Sequence, residues 1–281
     1  MANNANLDLL SMEFLKALES PLVFSGVANT VVANGLLQKG DKKRLNQVPD
    51  ITINSYTGST ITAQAMNLIA STIEITEDKY FAFDLDTVDY ANLANGIAAE
   101  GMRKAAYAQM DNVDAYMAGI YAQAGITHYT AASPLDMTSA NVEDAFIELG
   151  EKFALAGVPR STPKFCIIPP WVTSKIAIAG LGTKTDNSEL YRMGYVFSAF
   201  GFDFLESNNV SKNSTSWDIT RIIAGVPGQS FGLAMGVSAV ESAELESYVG
   251  KTRMKGRFVY GSKIIRPDMT AVFYADKTAE A

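Results

Sequence analysis

The chain has 281 residues but only one histidine, His128, and one cysteine, Cys166. That scarcity excludes an intramolecular disulfide, a CxxC redox pair and any zinc site built from several Cys and His ligands. Twenty-three basic against thirty acidic residues leave a formal net charge of −7, which disfavours tight adhesion to nucleic-acid phosphates or anionic lipid.

With 48% hydrophobic and 19% charged residues the chain reads as globular, and its length admits one large domain or two ordinary ones. The opening Met-Ala-Asn-Asn-Ala-Asn has no basic n-region and no long apolar core, so no signal peptide is expected. Two stretches without charge, 51–73 and 222–240, do not read as membrane spans. The first is rich in Thr, Ser, Asn and Gln, and the second carries Pro227, Gln229 and four glycines. A soluble protein suited to a reducing compartment is expected.

In chain order, Leu7, Leu10, Phe14 and Leu18 fall at helical spacing before Pro21, predicting a short amphipathic arm. An apolar stripe that short cannot bury itself, so the arm must lie on another surface. Gly40-Asp41-Lys42-Lys43-Arg44 reads as a charged turn. Beyond it Ile51 and Ile53 alternate with Thr52 and Asn54, Tyr56-Thr57-Gly58-Ser59 reads as a turn, and 60–62 and 72–76 resume strand composition. This predicts a long twisted β-hairpin with little core of its own, which needs support from another surface.

Residues 79–85 form a predicted strand that leads into the clearest helix. From Asp89 to Ala124 apolar residues recur with period 3.6, with Gly125 as the stop. At 1.5 Å per residue such a spine would be roughly 50 Å long. A second amphipathic helix is predicted over 142–156, ending at Gly157 and Pro159. A buried strand follows over 164–168, then Pro169-Pro170 and a short helix over 171–179. Further strands are predicted over 202–206, 220–224, 258–260, 263–266 and 270–274, with turns at Gly261 and Pro267-Asp268. Strands without a regular βαβ rhythm make the fold class α+β.

Chemical motifs fail in their contexts. Asp84-Leu-Asp86-Thr-Val88 matches the DxDx[TV] string of aspartate-nucleophile phosphohydrolases. That chemistry also needs a lysine and later acidic residues for magnesium, and no GDxxxD or Asp-Asp pair follows. The competing reading is that Asp84, Asp86 and Asp89 favour the N-terminus of the spine helix. Gly250-Lys251-Thr252 ends like a P-loop, but position 245 is Leu245 where a glycine is required. Ser161-Thr-Pro-Lys164 matches SxxK, yet Pro163 blocks the helical turn. The stretch from Asp84 to Asn95 lacks the glycine and final glutamate of a calcium loop. Cys166 inside Phe-Cys-Ile-Ile reads as buried and inert, and nothing supports a dyad with His128. The cluster Lys39, Lys42, Lys43 and Arg44 reads as a solvated turn or a partner-facing patch. No motif calls for catalysis, a metal or a cofactor.

The order of elements nevertheless carries a resemblance. The strings are Gly40-Asp41 with Asp50-Ile-Thr-Ile53; Lys79-Tyr-Phe-Ala-Phe-Asp-Leu-Asp-Thr-Val-Asp89; and Arg103-Lys-Ala-Ala-Tyr-Ala108 with Val113-Asp-Ala-Tyr-Met-Ala-Gly119. They continue with Ile167-Ile-Pro-Pro-Trp171, Gly201-Phe-Asp203 with Ser207-Asn-Asn209, and Val259-Tyr-Gly261 with Arg266-Pro267. In this collinear order they resemble a tailed-phage major capsid protein of the Hong Kong ninety-seven fold.

The resemblance implies an N-terminal arm over 1–38 and an extended β-hairpin loop over 39–78. It implies a peripheral domain from 79–134, with the spine helix, and the returning strands of 241–281, and an axial domain over 135–240. It implies self-assembly through pentamers and hexamers into an icosahedral shell around double-stranded DNA, in a virion assembled in the host cytoplasm. Portal and scaffolding proteins would be further partners, packaged DNA would be touched only weakly, and no membrane is involved. Leu10, Phe14, Leu18, Lys42, Lys43, Arg44, Ile51, Ile53, Tyr56 and Ile61 are the expected subunit-interface residues. Some family members join subunits by a lysine–asparagine isopeptide bond. Residues 51–73 contain no lysine, so a non-covalent shell is expected. With no long pro-segment before the arm, a separate scaffold is expected. Encapsulin-type nanocompartments share the fold and remain an alternative, as do the phosphohydrolase and a generic α+β binding protein.

Overall fold

The computed structural model describes residues 23–31, 35–36, 38–47, 51–56, 58, 63–65, 69–86, 96–179, 195–213, 219–237, 240–244 and 251–277. Its centre is β6 (Lys164–Ile168), buried at every position. A continuous apolar run of this kind suits a strand covered on both faces. It lies between β8 (Phe202–Glu206), parallel to it, and β10 (Ile219–Gly225), antiparallel. With β4 (Ile126–His128), β7 (Tyr195–Ala199) and β14 (Thr270–Asp276) the sheet runs in the order β4-β14-β10-β6-β8-β7. Two short strands, β5 (Leu135–Asp136) and β9 (Ser211–Lys212), add to β14 and β10.

One face of this sheet carries α3 (Val142–Leu155) and α4 (Pro170–Ile178). Val142, Ala145, Phe146, Leu149 and Phe153 recur at helical spacing and are buried with Cys166, Ile168, Ile222 and Phe273. Glu143 and Asp144 in the first turn of α3 and Lys152 in its last match the helix dipole. Gly157 closes the helix end at φ +84. Pro170 starts α4 at its first position, one residue before the predicted start.

The opposite face, with Phe165, Ile167 and Ile223, packs against α1 (Val23–Val27), α2 (Gly96–Gly119), β11 (Phe231–Val237) and β13 (Lys251–Ile264). Here the second, four-stranded sheet begins. Its order is β11-β13-β12, where β12 is Glu241–Glu244, and β3 (Glu77–Asp86) runs along β13. The helix α2 joins the two regions. Met102 and Ala106 pack on Phe81 and Phe83 of β3, and Val113 and Met117 enter the core against the eight-stranded sheet. Its 24 residues span about 36 Å. The predicted start at 89 lies outside the described residues.

Three sequence expectations change. Gly125 is no helix stop. The helix tightens into a 3-10 turn, Ile120–Gln123, and Ala124 is already extended. Gly125 instead lies against Pro267, donating its N–H to the Pro267 carbonyl at 2.9 Å, and a Cβ would sit 2.6 Å from that oxygen. Gly261 is no turn either. β13 runs through it unbroken for 14 residues, because the end of β2 (Ile69–Glu74) crosses so closely that a Cβ would overlap the Glu74 carbonyl. Lys42, Lys43 and Arg44 are not a turn but the start of β1 (Lys42–Gln47), which pairs antiparallel with β2. The turn is earlier, at Gly40 with φ +91.

The two sheets do not divide the chain at 134/135 and 240/241. β11 joins the four-stranded sheet, while β4 and β14 join the eight-stranded one. Composition cannot say which edge a strand will extend, since that depends on pairing between residues far apart in sequence.

Candidate assembly surfaces

The β1–β2 hairpin is anchored at its base. Ile73 and Ile75 are fully buried with Leu36, Ala234 and Val259, and Leu45 packs against them. Lys42 pairs with Glu74 at 2.9 Å on the exposed edge. Lys43 is half-buried and Arg44 exposed. Further out the ladder ends. Residues 51–56 belong to no strand and are exposed throughout, and Gln64 accepts the Thr52 N–H at 2.9 Å, so the two legs of the excursion still face each other. Ile51, Ile53 and Tyr56 are 68%, 95% and 73% exposed. Leu10, Phe14, Leu18 and Ile61 lie outside the described residues.

The arm expected over 1–38 does not reach as far as 38. Phe24 is fully buried and meets Phe231 edge-on, with ring centroids 6.3 Å apart. Asn29 pairs with the β11 edge, donating its N–H to Phe231 and accepting from Leu233. Residues 23–31 are therefore part of the subunit body.

The anchor of this segment is Asp114, which the sequence reading missed. Its signal was a lone carboxylate on the buried face of α2, between Val113 and Met117. Asp114 Oδ2 accepts the Val23 N–H at 3.2 Å. Burial pushes its carboxyl up to about 6, against the pull of the Val23, Phe24 and Ser25 amides, and Asp111 adds to the rise. His128 moves the other way. Packed on Tyr129 and Phe273, it is pushed down to about 4 by burial and by Lys152, while Glu148 and the Ala145 backbone oppose.

These two groups act oppositely on stability. Asp114 binds its proton more tightly when folded, so its ionisation costs stability as pH rises from about 4 to about 6. His128 is neutral when folded and charged when unfolded between about pH 4 and 6.5, so stability is lost as pH falls through that window. Asp114→Asn removes the first effect and keeps an oxygen for Val23. We expect a higher melting temperature at pH 7, by up to about 3 kcal/mol of stability, and a steeper fall on acidification. Thermal melts from pH 4 to 8 test this, and a curve parallel to wild type refutes it.

The exposed face of the four-stranded sheet is laced with ion pairs. Arg253 grips Asp84 through two hydrogen bonds of 2.6 and 2.8 Å, and Arg257 grips Asp78 through two of 2.9 and 2.6 Å. These bonds hold both carboxyls below the usual range. Asp84 is thus a cross-strand partner on a sheet surface. It supports neither a phosphohydrolase nor the helix-dipole reading, because it sits on β3. Cys166 and His128 cannot form a dyad. They stand on β6 and β4 with β10 and β14 between, about 14 Å apart at the usual strand spacing. Burial pushes the Cys166 thiol up. Lys164 donates to the Pro159 and Thr162 carbonyls, at 3.1 Å each, and so holds its own loop. Among the described residues no three His, Cys, Asp or Glu side chains cluster to hold a metal, and no helix is long and apolar enough to cross a membrane.

Asp84 and Lys164 hold structure, Cys166 and His128 are buried on separate strands, and exposed apolar residues stand on a two-legged excursion, which together describe a building block. A family model described as phage capsid protein matches residues 70–273. The chain belongs to the phage capsid protein family. A search of curated proteins finds no match. Among solved structures, one of Mycobacterium phage Che8 is similar at 18% identity, covering 90% of this chain and 91% of that one, with a TM-score of 0.73. The capsid of cyanophage P-SCSP1u follows at 16% identity, 92% and 89% coverage and TM-score 0.68. An encapsulin of Synechococcus elongatus is similar at 12% identity, 88% and 87% coverage and TM-score 0.56. The fold is that of the Hong Kong ninety-seven capsid proteins, and this capsid protein is a structural subunit that assembles with copies of itself into an icosahedral shell of the virion.

Proposed function

We propose that this capsid protein closes its shell through pentamers and hexamers held by non-covalent contacts, around double-stranded DNA. The observation that carries this is the excursion beyond β1 and β2, fixed at its base by Ile73 and Ile75 yet bearing exposed Ile51, Ile53 and Tyr56. Apolar side chains on so thin an element gain burial only on another subunit. Many modest contacts of this kind, repeated by symmetry, sum to a stable shell. The eight-stranded sheet with α3 and α4 is the axial domain, and the four-stranded sheet with α2 is the peripheral domain. Leu10, Phe14, Leu18 and Ile61 extend the contact surface, and Lys42, Lys43 and Arg44 flank it at the loop base. Assembly takes place in the host cytoplasm with portal and scaffolding proteins, and the −7 charge keeps DNA contact weak.

Negative-stain imaging and light scattering of the purified protein, alone and with a scaffold, test this. Closed particles or rings of five or six subunits are expected, and a strict monomer under every condition refutes it. Denaturing gels of the particles should show free 30.3 kDa chains, whereas a ladder would reveal covalent joining. The protein is no enzyme in this reading. Asp84→Asn should form particles as wild type does, with no phosphatase activity in either protein. Nuclease-protected DNA in native particles favours the phage shell over a nanocompartment with protein cargo.

A further inference from the structure

Asp111, Asp114 and Tyr116 fall within fewer than two turns of α2, and each reaches a different segment of the chain. Asp111 accepts a hydrogen bond from the Asn209 side chain. Asn209 lies in the turn between β8 and β9, so this bond ties the stretch of helix to the eight-stranded sheet. Asp114, 4% exposed, holds the Val23 N–H at 3.2 Å, and the Phe24 and Ser25 amides also face it. Tyr116 meets Thr76 hydroxyl to hydroxyl at 2.8 Å. Thr76 is the joint at which β2 has ended and β3 is about to begin.

Neither the Tyr116 nor the Asp114 contact is explained by the stability it adds. Thr76 is exposed, so water would serve its hydroxyl as well as the phenol does, and the bond contributes little net. The ring behind the phenol is nevertheless fixed. Tyr116 stands edge-on to Tyr260 with ring centroids 5.4 Å apart. Tyr260 is 2% exposed on β13, and its ladder partner is Glu77, the residue after Thr76. Asp114 costs stability when ionised, because it is buried, and an asparagine would offer Val23 the same oxygen. Both groups instead secure the root of an element that leads away from the body. Val23 is where the N-terminal segment enters the body. Ile75-Thr76 is where the hairpin returns to it from exposed Ile51, Ile53 and Tyr56. Because both side chains stand on one stretch of helix fastened by Asp111, the two roots keep a fixed relation to each other.

We propose that Asp114 and Tyr116 are positioning residues for assembly, which fix from one stretch of α2 the directions in which the N-terminal segment and the β1–β2 hairpin leave the body. Both elements then present their surfaces to neighbouring subunits together. An element already held in its bound orientation loses less freedom on contact, and two contacts offered at once act at a high effective concentration. The inference rests on the shell reading and adds to it residues that act from inside the subunit.

The test measures the melting temperature of the unassembled subunit, its amide exchange, and the concentration at half-assembly by light scattering. Tyr116→Phe keeps the ring on Tyr260 and loses only the hydroxyl. Its melting temperature should match wild type, exchange over residues 75–77 should quicken, and the half-assembly concentration should rise about fivefold. Thr76→Val should do the same, and the double variant should be no worse than either single one, since both remove one bond. Asp114→Leu, which lacks an acceptor, should quicken exchange over residues 23–25 and raise the half-assembly concentration about tenfold. Asp114→Asn, which keeps the oxygen, should assemble like wild type. Wild-type assembly by Tyr116→Phe or by Asp114→Leu overturns the role of that residue, and failure of Asp114→Asn to assemble overturns the role of the oxygen. A lower melting temperature for Tyr116→Phe and Thr76→Val overturns the positioning role too, by assigning their bond to the fold. A wild-type chain that never assembles overturns the shell reading and this role with it.

Discussion

Gly261→Ala is expected to unfold the junction between the extended hairpin and the body of the subunit. The added methyl would overlap the Glu74 carbonyl and lie 2.8 Å from the Ile75 Cα. Both obstacles are backbone, so neither can rotate away. The strands must separate, which removes Ile73 and Ile75, both fully buried, from their core. Exposing two isoleucines costs about 4 kcal/mol, a large share of the stability of an ordinary domain. We expect a urea midpoint far below wild type and rapid amide exchange over residues 71–76. Gly119→Ala is the matched control. It stands at the end of α2 with φ −70 and no atom within 4 Å of the added methyl, so it should be neutral or stabilising by up to ~1 kcal/mol. Equal midpoints for Gly261→Ala and wild type would contradict the close crossing.

The second large effect falls on assembly and spares the fold. Ile53 is 95% exposed, so Ile53→Asp removes no contact within the subunit and should leave its melting temperature unchanged. In a shell the same side chain is expected on a neighbour, where an isoleucine contributes about 2 kcal/mol and an aspartate carries a desolvation penalty. One such contact weakens by roughly 30-fold. Repeated at every copy, the loss should abolish particles at concentrations where wild type assembles. Tyr56→Ser should act in the same direction. Size-exclusion chromatography and negative-stain imaging read both. Normal shells from Ile53→Asp would remove the loop from the assembly surfaces.

These two residues illustrate how legibility divides. Ile53 was marked by its place in an uncharged, alternating stretch with no core, and its exposure agrees with that reading. Gly261 was misread as a turn, because a glycine required by a crossing strand looks in sequence like a glycine required by φ. Gly125 was misread for the same reason. Lys42, Lys43 and Arg44 looked like a turn because their composition is charged. Their pairing with Glu74, Ile73 and Thr72 is with residues some thirty positions away. The lone aspartate on the buried face of α2 was visible but went unused, and Phe200-Gly201 between two strand-like runs was a hairpin signal that went unread.

By itself the sequence determined the α+β class, the helices α2 and α3, the buried strand β6, the absence of multi-ligand Cys and His chemistry, and a resemblance that pointed to the family. Each of these depends on periodicity, capping residues, counts or the order of local elements, all of which are written along the chain. Only the tertiary structure decided which sheet each strand joined, that residues 23–31 belong to the body, and that Asp84 is a partner of Arg253. Those outcomes depend on pairing energies between segments as far apart along the chain as Asn29 and Leu233, which no local pattern encodes.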